Sequence, residues 1–279
     1  MSDRDPAALV QSAADWWTTE IIDIHPGEID VRGYPIQDLI GQVSFPEMIW
    51  LMVRGDLPSP GQARLLEAAL VASVDHGPHA PSIAIAQMAA TCGIGLNNAM
   101  ASAINVLGDV HGGAGQDCMK LYELVRTELE QGGELPAATD LALARFISDH
   151  GKIVPGFGHR FHPVDPRAAP LLAMVETAAA ERVVAGRYVA IGREVEAALR
   201  RRTGKSLPMN IDGATAVIFA ELGFAPEMGR GLFILSRSVG ILAHAWEQIK
   251  AGRRMKGPMP KDIPFTYAGP ERRKLDRSE

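Results

Sequence analysis

The stretch Gly151-Lys-Ile-Val-Pro-Gly-Phe-Gly-His159-Arg-Phe-His162-Pro-Val-Asp-Pro-Arg167 sets imidazole, guanidinium and glycine-rich backbone within a few residues of one another. Gly156 and Gly158 bracket Phe157, so the backbone there is able to take a positive φ or to let a ligand approach closely. Pro155, Pro163 and Pro166 stiffen the turn, and a stiff turn presents His159 at a fixed angle. This is the composition of a loop that carries chemistry, set between segments whose apolar periodicity is helical.

On its C-terminal side, Pro170 to Ala185 and Tyr188 to Thr203 read as helices, followed by Gly213 to Leu222 and Ala225 to Lys250. In the last of these Leu232, Leu235, Val239, Leu242 and Trp246 share one apolar stripe. On the N-terminal side, Met119 to Gln131 and Thr139 to His150 are helical, with Thr139 and Asp140 as caps for the second. Alanine-rich Pro81 to Cys92 and Asn97 to Leu107 carry few large side chains and are suited to close backbone packing. Ser59 caps and Pro60 opens a further helix bearing Leu65, Leu66, Ala69 and Leu70. Gln37 to Arg54 reads as one helix closing on Gly55, and Ile21 to Tyr34, broken by Pro26-Gly27, as a short two-stranded ribbon. The strand content is too small for a dinucleotide-binding sheet, and no glycine fingerprint follows a strand. The fold expected is all-helical with a short N-terminal β-ribbon.

The chain has 279 residues, 47% hydrophobic and 22% charged, enough to bury a sizeable core as one large or two smaller domains. A formal charge of −5 argues against broad electrostatic binding to nucleic acid or anionic membrane. The polar N-terminus lacks a signal region, and apolar runs such as Gly231 to Trp246 are interrupted by Arg237 and His244, so a cytoplasmic protein is expected. Cys92 and Cys118 lack metal or disulfide spacing and read as reduced, buried thiols.

Five of the eight histidines fall in three Gly- or Pro-bearing clusters: His76 with His79, His111, and His159 with His162. One reading is metal ligation by the two His-x-x-His pairs, against which stand the intervening Gly and Pro and the lack of a recurring carboxylate. A structural reading, with imidazoles capping helix ends or satisfying carbonyls, suits His25, His79, His150 and His162 better than His111 and His159. The third reading is acid and base work on an acyl carbon. Removing a proton α to a thioester takes a carboxylate base and a neutral donor for the enolate oxygen, roles open to Asp212 and His111. His159 would polarise the carbonyl under attack, with Arg167 and Arg237 holding carboxylates by paired hydrogen bonds. Arg237 stands in an otherwise apolar helix, where a buried anion partner and an ordinary ion pair are both open readings.

At this point the residues resemble the citrate synthase family and the related citryl-CoA lyases, including the lyase domain of ATP citrate lyase. Val31-Arg-Gly-Tyr-Pro-Ile-Gln-Asp-Leu39 is similar to the family's ribbon and first helix, and Val154-Pro-Gly-Phe-Gly-His159-Arg with Asp165-Pro-Arg167 to its signature. The resemblance implies that His111 stabilises an enol, His159 polarises a ketone and Asp212 is the catalytic aspartate. It implies that His76, in Asp75-His76, binds oxaloacetate, that Arg167 and Arg237 bind carboxylates, and that the loop Val154, Pro155, Gly156, Phe157 and Gly158 holds the adenine end of coenzyme A. It further implies a two-domain helical fold, with residues 1–112 and 213–279 as a large domain and 113–212 as a small domain that closes over it. A homodimer or higher homo-oligomer is implied as well, without metal or tightly bound cofactor, the coenzyme A thioester entering as substrate.

Four departures from the synthase pattern favour the lyases. Arg32 to His76 is shorter, the run from His159 to Arg167 lacks one residue, and Asn210-Ile-Asp212-Gly213 and Ser236 to His244 resemble the lyase versions of their motifs. Gly257-Pro258 stands where a synthase has Arg-Pro, and Arg253, Arg254 and Lys256 are the basic residues nearby that could substitute for that arginine. The function expected is reversible cleavage of a 3-hydroxy-3-carboxyacyl-CoA, by default citryl-CoA, to acetyl-CoA and a 2-oxo acid, by default oxaloacetate. The alternatives are a short citrate synthase, or relative acting on another 2-oxo acid, that hydrolyses the thioester, and a non-catalytic subunit that binds coenzyme A thioesters.

Overall fold

A computed structural model describes residues 6–159, 162–255, 257, 260 and 262–275. Twelve helices and one small antiparallel sheet make up the regular structure among these residues, so the all-helical reading holds. The chain divides into two compact units, residues 1–74 with 108–237, and residues 75–107 with 238–279.

The first unit opens with α1 (Pro6–Trp16), which buries none of its residues, and with the ribbon β1 (Ile22–His25), β2 (Glu28–Val31) and β3 (Tyr34–Pro35). Ile24 pairs with Ile29 across the first turn. A third strand joins the two expected because Arg32 and Gly33 both take positive φ, +50° and +82°, the conformation of a tight two-residue hairpin turn. Arg32 holds that turn down by donating from Nη2 to the Met52 carbonyl at 2.9 Å.

The single helix expected from Gln37 to Arg54 is instead two, α2 (Ile36–Leu39) and α3 (Phe45–Arg54). The cause is local. Gly41 turns the chain at φ +77°, and Ser44 then starts a new helix with a full capping box, its hydroxyl taking the Glu47 N–H while Glu47 takes that of Ser44. Ser59 caps α4 (Pro60–Ser73) as expected, with Gln62 completing the same device.

Around these lie α7 (Ala114–Glu130), α8 (Leu135–His150), α9 (Ala168–Ala180), α10 (Arg187–Thr203) and α11 (Ile211–Glu221). Thr139 and Asp140 do not cap α8, which begins a turn earlier; Thr139 is fully buried within it. In α11 (Ile-Asp-Gly-Ala-Thr-Ala-Val-Ile-Phe-Ala-Glu) Gly213 to Ala220 are all buried, and α4, α7, α9 and α10 pack against it. A helix apolar all round belongs at a core centre. Its neighbour α10 comes close through a small residue of its own: a Cβ on Gly192 would sit 2.6 Å from the Met209 methyl and 3.3 Å from the Val217 side chain.

The second unit holds α5 (Pro81–Thr91) packed on α6 (Leu96–Ile104), and the C-terminal half of α12 (Pro226–Lys250), whose N-terminal half belongs to the first unit. The apolar stripe on α12 divides: Leu232 is fully buried, whereas Leu235, Val239, Leu242 and Trp246 remain 40 to 56% exposed. Cys118 is buried as expected, but Cys92, just past the end of α5, is exposed. No helix among the described residues is long and apolar enough to cross a membrane. Arg160, Lys256 and Pro258, which figured in the sequence reading, lie outside the described residues, and so does the first stretch of the N-terminus.

Candidate active site

The loop 151–167 is held against α11 by its own backbone. Gly158 donates its N–H to the Pro208 carbonyl at 2.7 Å, Asn210 donates to the Gly156 carbonyl at 2.9 Å, and Phe157 bridges to Met209. Gly156 and Gly158 have φ of +85° and +73°, as the glycine spacing predicted. Gly156 has a second reason to be glycine, since a Cβ there would lie 2.5 Å from Cys118 Sγ and 3.0 Å from Gly213 Cα. The Val154 and Phe157 side chains are buried in the core, so this loop meets any ligand chiefly through its backbone.

Asn210 joins the loop to the helix. Its side-chain oxygen caps α11 by accepting from Asp212 N–H at 2.9 Å and Gly213 N–H at 3.3 Å, and its amide donates to the Gly158 carbonyl at 2.6 Å. Asp165 makes a second junction. Its fully buried carboxylate takes both Nε and Nη2 of Arg167 at 2.9 Å, the Arg167 N–H at 3.0 Å and the Ile211 N–H at 2.9 Å. Burial alone would raise its pKa, but the Arg167 guanidinium and these N–H donors outweigh that and bring it down to about 2. Arg167 therefore reaches the site with one edge of its guanidinium already committed.

Asp212 stands in the first turn of α11. Packing of protein around it raises its pKa above the ordinary carboxylate value, with Arg167 and Arg237 opposing the rise. His111 lies in the turn between α6 and α7 and is depressed by burial and then by the Arg237 charge. His159 is depressed likewise, by burial, His162 and Arg167, against Asp165. Both imidazoles are thus neutral at pH 7. The His162 backbone N–H donates to His159 Nδ1 at 3.1 Å, which puts the proton of neutral His159 on Nε2 and makes that atom a donor. Arg237 is 6% exposed, donates from Nε to the Ser73 carbonyl at 3.2 Å and lies 4.9 Å from the Phe233 ring centre.

Five of the expected residues lie in the first unit and are linked through the two arginines: Arg237 acts on His111 and Asp212, and Arg167 on Asp212 and His159. His76 belongs to the second unit, where it is exposed on the turn between α4 and α5. His150 accepts its structural reading, with Nδ1 3.1 Å from the Phe146 carbonyl. The sequence reading gave no role to Asn210 or to the Asp165 carboxylate. Asn two residues before Asp212 at the head of an apolar segment is a capping signal. Contact between Asp165 and Ile211 leaves no local signal. Beside the loop lies a cavity of about 490 Å³ lined by Lys152, Ile153, Val154, Phe157, Arg202 and Leu207, apolar with two cations.

This arrangement has one carboxyl group whose pKa is raised by burial, two imidazoles whose pKa values are lowered, and two arginines for anions. A family model described as citrate synthase, C-terminal domain, matches residues 58–258. A putative citrate synthase 2 of Mycobacterium tuberculosis is 30% identical over 227 residues, 77% of this chain and 57% of that protein. The citrate synthase of Acidithiobacillus ferridurans is 29% identical over 209 residues, 72% of this chain and 51% of that one. The chain spans little more than half the length of these curated relatives. A citryl-CoA lyase from Hydrogenobacter thermophilus is similar in structure with a TM-score of 0.79 and 30% identity, covering 93% of this chain and 97% of that one. An ATP citrate lyase from Methanothrix soehngenii, 20% identical, shares the fold with a TM-score of 0.75 over 96% of this chain and 45% of its own. With a family model matched over most of its length and relatives of like sequence and fold, this chain belongs to the citrate synthase family.

Proposed function

We propose that this enzyme of the citrate synthase family acts as a citryl-CoA lyase, cleaving citryl-CoA, or a related 3-hydroxy-3-carboxyacyl-CoA, to acetyl-CoA and oxaloacetate or another 2-oxo acid. The carrying observation is the opposed tuning of neighbouring groups: Asp212 raised, His111 and His159 lowered. Carbon–carbon cleavage next to a thioester needs that set. As the tertiary hydroxyl loses its proton to a base beside His159, the electron pair of the breaking bond passes to the thioester, and His159 Nε2–H donates to the forming ketone. His111 donates to the enol thioester oxygen. Asp212, whose raised pKa keeps it protonated to higher pH, delivers the proton to the terminal carbon and so completes acetyl-CoA. In the reverse direction the Asp212 carboxylate is the base.

Arg237 and the uncommitted edge of Arg167 would hold carboxylates, and the backbone of Val154 to Gly158 the adenine end of coenzyme A, with Lys152 and Arg202 of the adjoining cavity facing its phosphates. Closure of residues 113–212 over the remainder would exclude water and keep the imidazoles neutral. A homodimer, with the exposed row Leu235, Val239, Leu242 and Trp246 of α12 as its contact, goes with this reading and is tested by sedimentation. The structural similarity to the Hydrogenobacter lyase, with a TM-score of 0.79 at 30% identity, supports cleavage as the main activity. Condensation with hydrolysis is the second reading, favoured by the names of the curated relatives.

Assays of citryl-CoA cleavage and of condensation from acetyl-CoA with oxaloacetate, run side by side, test both. Free coenzyme A released on condensation marks a synthase, and its absence a lyase. Asp212→Asn should lower kcat in either direction by roughly 10² to 10⁴ without moving the melting temperature. Silence of the wild type in both directions, with the thioesters intact, overturns the assignment.

A further inference from the structure

The turn that carries His76 is gripped from α12. Within the second unit Asp75 Oδ2 accepts the Gly77 N–H at 3.1 Å, closing an Asx turn around His76, and Gly77 takes φ +78° to permit it. The same oxygen lies 3.2 Å from Nε2 of His244, and His244 Nδ1 lies 3.4 Å from the Gln87 amide nitrogen on α5. A carboxylate only accepts, so Nε2 of His244 carries the hydrogen of the Asp75 contact, while Nδ1 faces the Gln87 amide, with Glu247 Oε2 3.9 Å away. His244 is 19% exposed and Asp75 38%, so the contact is partly shielded. Asp75 Oδ1, itself closed to solvent, has no hydrogen-bond partner, so the turn's hold on α12 runs through Oδ2. Burial would raise the Asp75 pKa, yet the His244 bond and the N–H groups of Gly77 and His76 carry it below the ordinary carboxylate value.

Gln87, His244 and Asp75 therefore form a line from α5 through α12 to the backbone on either side of His76. We propose that His244, steadied by Gln87, is a positioning residue that sets the Asp75 turn and hence the place of His76 in binding the 2-oxo acid. This rests on the reading of His76 as a ligand of that acid. A histidine on α12 has no need of this geometry merely to fill space, since an apolar side chain would pack there without requiring Asp75 and Gln87 as partners.

The test uses the full chain and compares wild type with His76→Ala, His244→Ala and His244→Gln; glutamine keeps an N–H donor at similar reach. Expected for His244→Ala is a rise of about tenfold or more in the KM for oxaloacetate, the KM for acetyl-CoA changing less than about twofold. His244→Gln should recover most of the loss. Exchange of the Gly77 amide proton should quicken in the alanine variant and return in the glutamine one. Equal effects on both substrates, or no effect on either, overturn the inference. If His76→Ala leaves oxaloacetate use unchanged, the reading of His76 fails instead; the Gly77 exchange then decides whether His244 holds the turn. Unaltered exchange in His244→Ala overturns that too.

Discussion

Two glycine turns carry the two tuned imidazoles, and they are built by opposite means. The His159 loop is held by other elements: Pro208, Met209 and Asn210 bond to it, and Cys118 of α7 and Gly213 of α11 close on Gly156. The His111 turn folds back on itself at the surface: a Cβ on Gly113 would lie 2.3 Å from the turn's own Asp109 carbonyl, Val110 is fully exposed, and Arg230 of α12 reaches the Asp109 carboxylate. The stretch leading into His159 is therefore packed into the core, whereas the Asp109–Val110 side of the His111 turn lies at the surface. Of the two proposed roles, polarising a ketone at a fixed angle asks for the first, and following an enol oxygen as charge develops tolerates the second.

Gly156→Ala tests the stronger half of this contrast and should have the largest effect. The new methyl meets Cys118 Sγ at 2.5 Å, and φ of +85° strains any residue but glycine. Overpacking and a left-handed backbone together predict a loss of about 3 to 5 kcal/mol, read by urea unfolding, with activity lost in step. A variant as stable as wild type would mean the loop is not part of the core.

The junction beneath the loop comes next. Asp165 is a depressed carboxylate, its pKa brought down to about 2 from the ordinary 3.8. Its contribution is therefore present above about pH 4 and fades as pH falls towards 2, amounting to about 2.5 kcal/mol at neutral pH. Asp165→Asn should lose about that much at pH 7, and the wild type's fall in stability between pH 4 and 2 should flatten in the variant. Parallel curves for the two proteins over that range would show that the charge on Asp165 does not anchor α11 to the loop.

Much of this was legible in the sequence because the signals are local. Gly156 and Gly158 announced left-handed backbone and Ser59-Pro60 a helix start, and glycine neighbours marked His111, His159 and Asp212 as candidates for a site. Gly41 and Ser44 also carried a local signal, a turn glycine before a capping box with Glu47, but the apolar run from Leu39 to Met52 masked it. The uses of Asp165 and His244 depend on contacts between distant parts of the chain, to Ile211 and to Asp75, and no spacing rule reports these. Arg167 shows the consequence. Read alone it is a carboxylate-binding arginine, but half its fork is spent on Asp165. The exposure of Leu235, Val239, Leu242 and Trp246 was hidden for a related reason, since periodicity places residues on one face without saying what covers it.

The weaker half of the contrast is tested at Asp109, where the smallest effect is expected. Its carboxylate pairs with Arg230 at 2.6 Å while 87% exposed, and its pKa is lowered by that bond. An exposed pair is screened by water and salt, so Asp109→Asn should leave the unfolding midpoint nearly unchanged. The turn would nonetheless lose a restraint beside His111, and Arg230, whose buried Nε already has no hydrogen-bond partner, would lose the anion that orients it. A fall of a few fold in kcat is expected, with KM for the acid unaltered. At about 1 M salt, where the Debye length is near 3 Å, wild type should fall towards the variant and the difference should close. A loss of stability as large as that of Asp165→Asn would erase the distinction, because the His111 turn would then be anchored as firmly as the loop of His159.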